Sequence, residues 1–225
     1  MLNYAVDPFV MEKYLPNGTE LDIWNNTCYL SLVGFMFLNT RIKGLTVPFF
    51  SNFEEFNLRF YVRFKEENEW KRGVVFIKEI VPNRIVSSIA NKVYGERYYC
   101  YPMKNSLVEN ETVIEVKYEW FYKNEWNFIQ ATAEKNTSPL IKNSEEEFIT
   151  QHFWGYTRLR NGSTSEYHVE HPRWDIHKVL SYNISCNNKE LYGDEFDYYL
   201  KKKPVSVFMA QGSDVKVYPR KLWKF

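Results

Sequence analysis

The histidines of this chain are concentrated in one segment, which makes that segment the first candidate for chemistry. Three of the four histidines lie between residues 151 and 174, and the fourth, His177, follows three residues later. Imidazole changes its charge near neutral pH and is a common metal ligand. The segment could therefore hold a metal site, an acid–base centre or a structural strand pair, and the choice depends on how its strands pair.

A hairpin is predicted in this segment by Asn161-Gly162, which lies between two runs of alternating side chains. This dipeptide favours a two-residue type I′ turn, and such a turn fixes the register of the strands that flank it. The predicted register pairs His152 with His171, Trp154 with Val169, and Tyr156 with Tyr167. All six side chains are then expected on one face of the hairpin.

The predicted pair of His152 and His171 has three interpretations. Side chains directly opposite each other have Cβ atoms about 4.5 to 5.5 Å apart, so the two rings could share a proton, a water or a metal ion. A zinc or iron site needs at least one further ligand, and none lies at a recognisable spacing, so no metal is predicted. An acid–base role and a structural, hydrogen-bonded pair remain as alternatives, with the structural pair as the default.

A second candidate is a strand with an arginine on one face. Residues 57–64 alternate strictly, so that Asn57, Arg59 and Tyr61 share one side and apolar side chains share the other. By default Arg59 is a solvated charge or the partner of an acid such as Glu79. If the sheet closes into a barrel and Arg59 points inward, its guanidinium can anchor a carboxylate or phosphate by bidentate hydrogen bonds.

The remaining candidate groups are the Glu79 carboxyl and the tyrosine hydroxyls, of which Tyr98 is the foremost. Either group could act as the acid partner of a histidine base, although tyrosine hydroxyls are more often core or rim groups. The chain contains no G-x-S-x-G, P-loop, G-x-G-x-x-G or H-E-x-x-H motif. Any chemistry is therefore predicted from single groups and not from an established motif.

The composition favours a β-rich fold. Aromatic residues make up 18% of the 225 residues, and bulky aromatic side chains favour pleated strands. Alternating segments recur along the chain, with short helices predicted near Pro8 and Ser144 and from Pro82 to Gly95. We expect a single domain over residues 1–225, a mainly β (α+β minor) antiparallel β-barrel or cone with a few short covering helices.

The charges and cysteines disfavour several classes of protein. The chain has 29 basic and 28 acidic residues, a formal net charge of +1, so neither nucleic acid nor a membrane is an expected partner. The amino terminus lacks a basic region followed by a long apolar core, which argues against secretion. Three widely spaced cysteines do not suit a disulfide framework, and we expect reduced thiols in a cytoplasmic protein.

Several segments together resemble one family. They are MLNYAVDP, YLPNGTELD, YLSLVGFMF, NFEEFNLRFYVR, RGVVFIKEIVP and FITQHFWGYTRLRNGSTSEYHVEHPRW, which together extend over nearly the whole chain. In this order, and above all through WGYT, EYxVEHP and NLRxYV, the chain resembles the YqjF-like family (DUF2071), which is grouped with the acetoacetate decarboxylase-like superfamily. The resemblance implies a barrel or cone of acetoacetate decarboxylase-like type with a central cavity, and no known reaction.

One segment departs from the decarboxylases of that superfamily. Those enzymes carry a Schiff-base lysine in a Gly-Phe-Pro-Lys-Lys segment, where a neighbouring cation lowers the lysine pKa so that the amine can attack a ketone. The most similar stretch here is Gly95-Glu96-Arg97-Tyr98-Tyr99. Because tyrosines stand at both lysine positions, imine chemistry is not expected, and no cofactor is implied.

Three functional hypotheses follow. The first is a protein that binds a small anionic or carbonyl-bearing metabolite in a central barrel cavity. The residues expected to line this cavity are Arg59, Tyr61, Trp154, Tyr156, Tyr167 and the pair of His152 and His171.

The second hypothesis is a lysine-independent lyase or hydrolase. Its candidate catalytic residues are His171, His152, Tyr98 and Glu79, with His171 as the base and Tyr98 or Glu79 as the acid partner. The third hypothesis is a partner-binding scaffold that uses exposed aromatic strands. A homo-oligomer is compatible with all three.

Overall fold

The structure is a computed structural model that describes residues 1–42, 45–46 and 51–225. Its helices are α1 (Pro8–Glu12), α2 (Arg84–Val93), α3 (Glu145–Thr150), α4 (Asn188–Tyr192) and α5 (Asp194–Leu200). Its strands are β1 (Leu2–Val6), β2 (Thr19–Leu21), β3 (Cys28–Phe37), β4 (Arg41–Ile42), β5 (Leu45–Thr46), β6 (Phe53–Glu66), β7 (Glu69–Val81), β8 (Tyr98–Cys100), β9 (Met103–Glu109), β10 (Val113–Tyr122), β11 (Glu125–Ser138), β12 (Trp154–Arg158), β13 (Thr164–Glu170), β14 (Ile176–Ser185), β15 (Ser206–Val207), β16 (Met209–Ala210), β17 (Lys216–Val217) and β18 (Lys221–Trp223). The predicted mainly β class is confirmed.

The strands form two large sheets. The first has the order β15-β1-β3-β6-β7-β12-β13-β17, with β2 beside β6, β8 beside β7 and β18 beside β13. The second has the order β16-β14-β11-β10-β9, and its pairs are all antiparallel. Strands β4 and β5 pair with each other.

The predicted closed antiparallel barrel is wrong. Both large sheets are open among the described residues, and the first sheet is mixed. Its parallel pairs are β7 with β8 and β7 with β12. Helix α2 returns the chain from the end of β7 to the start of β8, and a crossover of this kind makes the two strands parallel.

The main hydrophobic core lies between the two sheets. On β6, Phe56, Leu58 and Phe60 are fully buried on the side that faces this core. The Phe56 ring stacks on Trp120 of the second sheet with 3.9 Å between ring centroids. Burying one such side chain contributes about 1.5 to 3 kcal/mol, so this strand is a principal source of stability.

The opposite side of β6 presents polar and aromatic groups, and we call it the polar face. Its residues are Glu55, Asn57, Arg59 and Tyr61, of which all but Arg59 are nearly inaccessible to solvent. The alternation predicted for Asn57, Arg59 and Tyr61 is confirmed. Helix α3 covers part of this face, with Phe148 5.5 Å from Tyr61 between ring centroids.

The hairpin of β12 and β13 forms, but its predicted register is wrong by one residue. Gly162 has a φ of +83°, whereas a type I′ turn also requires a positive φ at Asn161, which that residue does not adopt. The Leu159 N–H donates to the Ser163 carbonyl at 2.9 Å, which closes a three-residue loop. The observed pairs include Trp154 with His168, Gly155 with Tyr167, and Tyr156 with Glu166.

A one-residue slip moves every side chain of one strand to the other face. Tyr156 and Tyr167, predicted to share a face, therefore lie on opposite faces of the first sheet. The pairing of His152 with His171 is lost for the same reason, so the predicted two-histidine site does not form.

The short helices agree with the sequence signals. Asp7 and Ser144 cap α1 and α3 as predicted, and the Ser144 hydroxyl accepts a hydrogen bond from the Glu147 N–H at 3.1 Å. Helix α2 begins after the N-cap Asn83 and ends before Gly95. Over the described ranges, no helix is long and apolar enough to cross a membrane.

Candidate functional site

Three glutamates with buried side chains meet at the polar face, and we call them the carboxyl cluster: Glu55, Glu79 and Glu96. Strand pairing explains their proximity. Glu79 on β7 lies directly opposite Asn57 on β6 and beside Tyr98 on β8. Glu55 precedes Asn57 by two residues on β6, so the side-chain alternation places it near Glu79. Glu96 lies just before β8 and is close enough to Glu79 to raise the pKa of that carboxyl.

Glu55 is held by two hydrogen bonds. The Tyr98 hydroxyl donates to its Oε2 atom at 2.8 Å, and the Asn57 amide donates to its Oε1 atom at 2.9 Å. A register irregularity in the β6–β7 pair lies between Leu58 and Arg59. Bulges of this kind change the direction of side chains and are common beside functional sites.

The other two carboxyls lack such partners. Both carboxyl oxygens of Glu79 and both of Glu96 are buried without a hydrogen-bond partner among the described residues. The same holds for Oδ1 of Asn57 and Oγ1 of Thr157. Buried polar atoms are nearly always paired with protein, water or ligand, so this group of acceptors is the candidate functional site.

Burial controls the protonation of the carboxyl cluster. Burial raises the pKa of Glu55 to about 7, against the opposing effects of its hydrogen bonds and of Arg59. Burial also raises the pKa of Glu96 to about 7. The pKa of Glu79 lies well above its usual range because of burial and then of repulsion from Glu96 and Glu55. Burial therefore favours the protonated form of all three carboxyls, most strongly that of Glu79.

Two tyrosines lie at the carboxyl cluster: Tyr98, which donates to Glu55, and Tyr167, which is close enough to Glu96 for that carboxyl to raise its pKa. Burial and the nearby carboxyls raise the pKa of Tyr98 and Tyr167 well above the usual range, so both phenols stay protonated. Tyr167 can lie here because its strand neighbour is Gly155: a Cβ atom at that position would be 2.1 Å from Cζ of Tyr167. The glycine of the WGYT motif thus provides room for the ring of Tyr167.

Arg59 lies on the polar face beyond Asn57. Its Nη2 atom is 3.7 Å from the Met1 sulfur, and its guanidinium carbon is 5.7 Å from the centre of the Tyr61 ring. Its Nε atom is buried and has no hydrogen-bond partner among the described residues. The guanidinium lowers the pKa of Glu55, so the two groups are close enough to interact.

His152 is bound to an acid that the sequence did not indicate. Its Nε2 atom is 3.0 Å from Oδ2 of Asp22, and the same oxygen accepts a hydrogen bond from Nε of Arg72 at 2.6 Å. Burial lowers the pKa of His152 to about 4, so the ring is neutral at pH 7. Its Nδ1 atom is buried and has no partner within the described part of the chain.

His171 makes different contacts from those of His152. Its ring stacks on Trp174 at 4.0 Å and is 4.8 Å from Phe153, measured between centroids. Its Nδ1 atom lies 2.8 Å from the Pro172 carbonyl. Burial lowers the pKa of His171. The ring is thus an aromatic packing group at the edge of the hairpin.

Trp154 and Tyr156 lie on the opposite side of the sheet from Tyr167, so they do not line the polar face. The Lys71 ammonium is 4.2 Å from the centre of the Trp154 ring. The Tyr156 ring is stacked near Phe64 at 5.9 Å between centroids. The expectation that Arg59, Trp154 and Tyr156 line one cavity is therefore wrong, because Trp154 and Tyr156 lie on the other side of the sheet.

Tyr98 and Tyr99, which stand at the positions of the decarboxylase lysines, differ in their exposure to solvent. Tyr98 is inside the carboxyl cluster, whereas Tyr99 is 44% exposed. Burial lowers the pKa of Lys78, but this residue lies opposite Leu58 and therefore on the core side of the sheet. The groups identified at the cluster are thus carboxyls, phenols and amides.

The openings at the surface lie elsewhere. One of about 190 Å³ is lined by β10, β11 and β14, and one of about 300 Å³ lies between α3, β14 and β15. Neither includes a residue of the carboxyl cluster, whose three glutamates are nearly inaccessible to solvent. Within the described ranges, no group of three or more histidine, cysteine or acidic side chains is arranged to hold a metal ion.

Sequence reasoning missed Glu55, Glu96 and Asp22. Glu55 could have been found, because extending the alternation of β6 by one step places it with Asn57. Glu96 and Asp22 lie outside regular alternation, and they reach the polar face through long-range strand pairing.

Comparisons with known proteins agree with this fold. The chain is similar to the uncharacterized protein YqjF of Bacillus subtilis (strain 168), with 26% identity over 224 residues, 98% of this chain and 88% of that protein. It is similar to the crystal structure of acetoacetate decarboxylase from Legionella pneumophila, with a TM-score of 0.61 and 14% identity over 99% of this chain and 83% of that chain.

A further similarity is to the enduracididine biosynthesis enzyme MppR complexed with pyruvate, with a TM-score of 0.61 and 14% identity over 98% of this chain and 83% of that chain. At these identities the solved structures show the fold. A family model for DUF2071, described as "Uncharacterized conserved protein", matches residues 1–214. The chain therefore belongs to the DUF2071 family, and its fold is that of the acetoacetate decarboxylase-like proteins.

Proposed function

We propose that the polar face binds a small metabolite that bears a carboxylate and a carbonyl group. The observation that supports this best is the buried carboxyl of Glu79, which has no hydrogen-bond partner among the described residues and which burial keeps in its protonated, donating form. Leaving a buried polar group unpaired costs about 1 to 3 kcal/mol, which a bound ligand would recover. A structural relative, MppR, is complexed with pyruvate, a molecule of this class.

Arg59 and Glu79 would hold the two ends of such a ligand. Arg59 lies two residues from Asn57, about 7 Å along the strand, and Asn57 lies directly opposite Glu79. This spacing suits a three- to five-carbon acid. The guanidinium would bind the carboxylate, and the protonated Glu79 would donate a hydrogen bond to the carbonyl oxygen.

A calorimetric titration with pyruvate at pH 7 tests this function. We expect heat of binding with the wild-type chain and a loss of at least tenfold in affinity in Arg59→Met. The matched control is Arg63→Met, because Arg63 lies on the same strand and side but is paired with Glu20 at the surface. Equal affinities in the two variants, or no binding to the wild type, would argue against the proposal.

A second candidate function, proton transfer on the same ligand, is favoured by the pKa values. A general base is most effective when its pKa is near the working pH, and the pKa values of Glu55 and Glu96 are both about 7. One of them would remove a proton from the carbon next to the carbonyl. The electron pair of the C–H bond would form the carbon–carbon double bond of an enolate. The π electrons of the carbonyl group would move to its oxygen, where Glu79 would stabilise the charge.

Exchange of the pyruvate methyl protons in D2O, followed by proton NMR, tests this second function. We expect exchange above the buffer rate with the wild type and a loss of about 100-fold or more in the variant that removes the base, Glu55→Gln or Glu96→Gln. Exchange at the buffer rate with bound pyruvate would exclude proton transfer on this probe and leave the binding function in place.

A further inference from the structure

We infer that the ligand of the polar face carries a hydroxyl group on the carbon next to its carboxylate, with its carbonyl group further along the carbon chain, and that Nδ1 of His152 accepts a hydrogen bond from this hydroxyl. The inference rests on the proposed function, because it requires a carboxylate at Arg59. It adds a specificity-determining residue that the carboxyl cluster does not supply.

The first step is the tautomer of His152. Nε of Arg72 donates a hydrogen bond to Oδ2 of Asp22 at 2.6 Å, and Nε2 of His152 lies 3.0 Å from the same oxygen. Burial opposes ionisation of Asp22, but its contacts with His152 and Arg72 lower its pKa, and an ionised carboxylate can only accept. Nε2 of His152 therefore carries the ring proton, and Nδ1 carries a lone pair.

The second step is the environment of that lone pair. His152 is 8% exposed, and its Nδ1 atom has no hydrogen-bond partner among the described residues. The ring is fixed on both sides, by Tyr61 at 4.7 Å and by Phe148 at 5.1 Å between centroids. A rigid, buried acceptor without a donor is the complement of an O–H or N–H group on a ligand.

The third step is the position of Arg59. Its guanidinium carbon is 5.7 Å from the centre of the Tyr61 ring, and the Tyr61 ring is 4.7 Å from His152. Arg59 also has a buried atom, Nε, without a partner. An unpaired donor, Nε of Arg59, and an unpaired acceptor, Nδ1 of His152, thus both belong to side chains near the Tyr61 ring. A carboxylate with an adjacent hydroxyl group satisfies both.

L-Lactate and propionate test this inference, because they differ only by the 2-hydroxyl group. We expect the wild type to bind L-lactate about three- to tenfold more tightly than propionate, the range of one hydrogen bond. In His152→Gln the side-chain amide can still donate to Asp22, but no acceptor remains at the Nδ1 position. The preference should disappear while the affinity for propionate is retained.

His168→Gln is the matched control, since His168 lies across the sheet against Trp154, and it should keep the preference. Equal binding of both acids by the wild type, or a preference that persists in His152→Gln, would overturn the inference. If L-lactate and propionate bind to the wild type but not to Arg59→Met, the proposed function stands and only the inference about His152 fails. If neither acid nor pyruvate binds, the proposed function and the inference fail together.

A second measurement needs no substitution at His152. In the ¹⁵N-labelled wild type, the Nδ1 resonance of His152 can be assigned by elimination with His168→Gln, His171→Gln and His177→Gln. We expect L-lactate to shift this resonance upfield, as an accepted hydrogen bond does, and propionate to leave it in place. Identical spectra with the two acids would overturn the inference even if His152→Gln does not fold.

Discussion

The Tyr98 hydroxyl donates a 2.8 Å hydrogen bond to Glu55, although the two residues lie on strands that are not neighbours. Strand β7 runs between β6 and β8, so this bond passes beside Glu79. The Glu55 carboxyl thereby connects β6 with β8 across β7. The protonation of each member of the carboxyl cluster consequently depends on the others.

The first prediction concerns Tyr98→Phe. The Tyr98 hydrogen bond lowers the pKa of Glu55 against the larger effect of burial. Its removal should raise the pKa of Glu55 above about 7, and a ¹³C NMR titration of the glutamate carboxyls measures this. The control is Tyr99→Phe, since Tyr99 is 44% exposed. An unchanged or lowered pKa in Tyr98→Phe would show that the bond does not stabilise the ionised form.

The second prediction concerns the pH dependence of stability through Glu96. The pKa of Glu96 is about 7 in the folded chain and 4.5 as the ordinary value, so the folded state binds more protons between these limits. The free energy of unfolding therefore falls as pH rises from 4.5 to 7, by about 3 kcal/mol from this group.

Glu96→Gln removes this effect. Relative to the wild type, the variant should gain about 3 kcal/mol of stability between pH 4.5 and 7.5, measured by urea denaturation. Glu111→Gln, on an exposed turn, is the control. A difference between Glu96→Gln and the wild type that does not vary with pH would contradict a buried, raised Glu96.

The third prediction has the opposite sign. Burial lowers the pKa of His152 from 6.5 to about 4, so the unfolded state binds more protons in this range. The contribution of neutral His152 to the free energy of unfolding, about 3 kcal/mol, is therefore complete above pH 6.5 and is lost as the pH falls toward 4. The effects of Glu96 and His152 largely cancel in the wild type.

His152→Gln should therefore become more stable relative to the wild type as the pH falls from 6.5 to 4. The same urea series measures it, with His168→Gln as the control. If the two stability curves stay parallel across this range, His152 is not a buried neutral imidazole.

The fourth prediction concerns Gly155→Ala. The added Cβ atom would lie 2.1 Å from Cζ of Tyr167, so the ring must move or the strand must shift. We expect a loss of about 1 to 3 kcal/mol in the free energy of unfolding. In a Tyr167→Ala background the same substitution should have little effect. Additive effects in this double-mutant cycle would show that the ring and the glycine do not interact.

Local patterns were sufficient for the elements and for one face of the site. The alternation of β6 correctly placed Asn57, Arg59 and Tyr61 on one side, because a strand leaves no other arrangement once its opposite side is apolar. The caps of the short helices were equally local. Glu79 and Tyr98 were named as candidate acids from their chemistry alone, and the structure places both in the carboxyl cluster.

The hairpin register could not be predicted from Asn161 and Gly162 alone. This dipeptide fits a two-residue loop and also a three-residue loop with glycine in the left-handed conformation. The side chain of Asn161 decides between them here, since its Oδ1 atom accepts hydrogen bonds from the N–H and the hydroxyl of Ser163 at 3.1 and 2.7 Å. This local turn competes with the type I′ geometry, and the predicted histidine pair was lost with it.

The open, mixed sheet was also beyond local patterns. Strand β8 has three residues, and its parallel pairing with β7 brings Glu96 and Tyr98 to the polar face. Such a pairing depends on the whole path of α2 and not on the periodicity of β8. The same is true of Asp22, which meets His152 across 130 residues of sequence.

Strand β6 separates the main hydrophobic core from the groups of the polar face, with almost no solvent-exposed residue between Phe53 and Phe64. Selection for thermostability and selection for a new substrate would therefore act on the same fourteen-residue segment. Repacking at Leu58 or Phe60 would alter the path of the backbone that carries Asn57 and Arg59. Directed evolution of this protein should yield variants in which heat resistance and substrate preference change together.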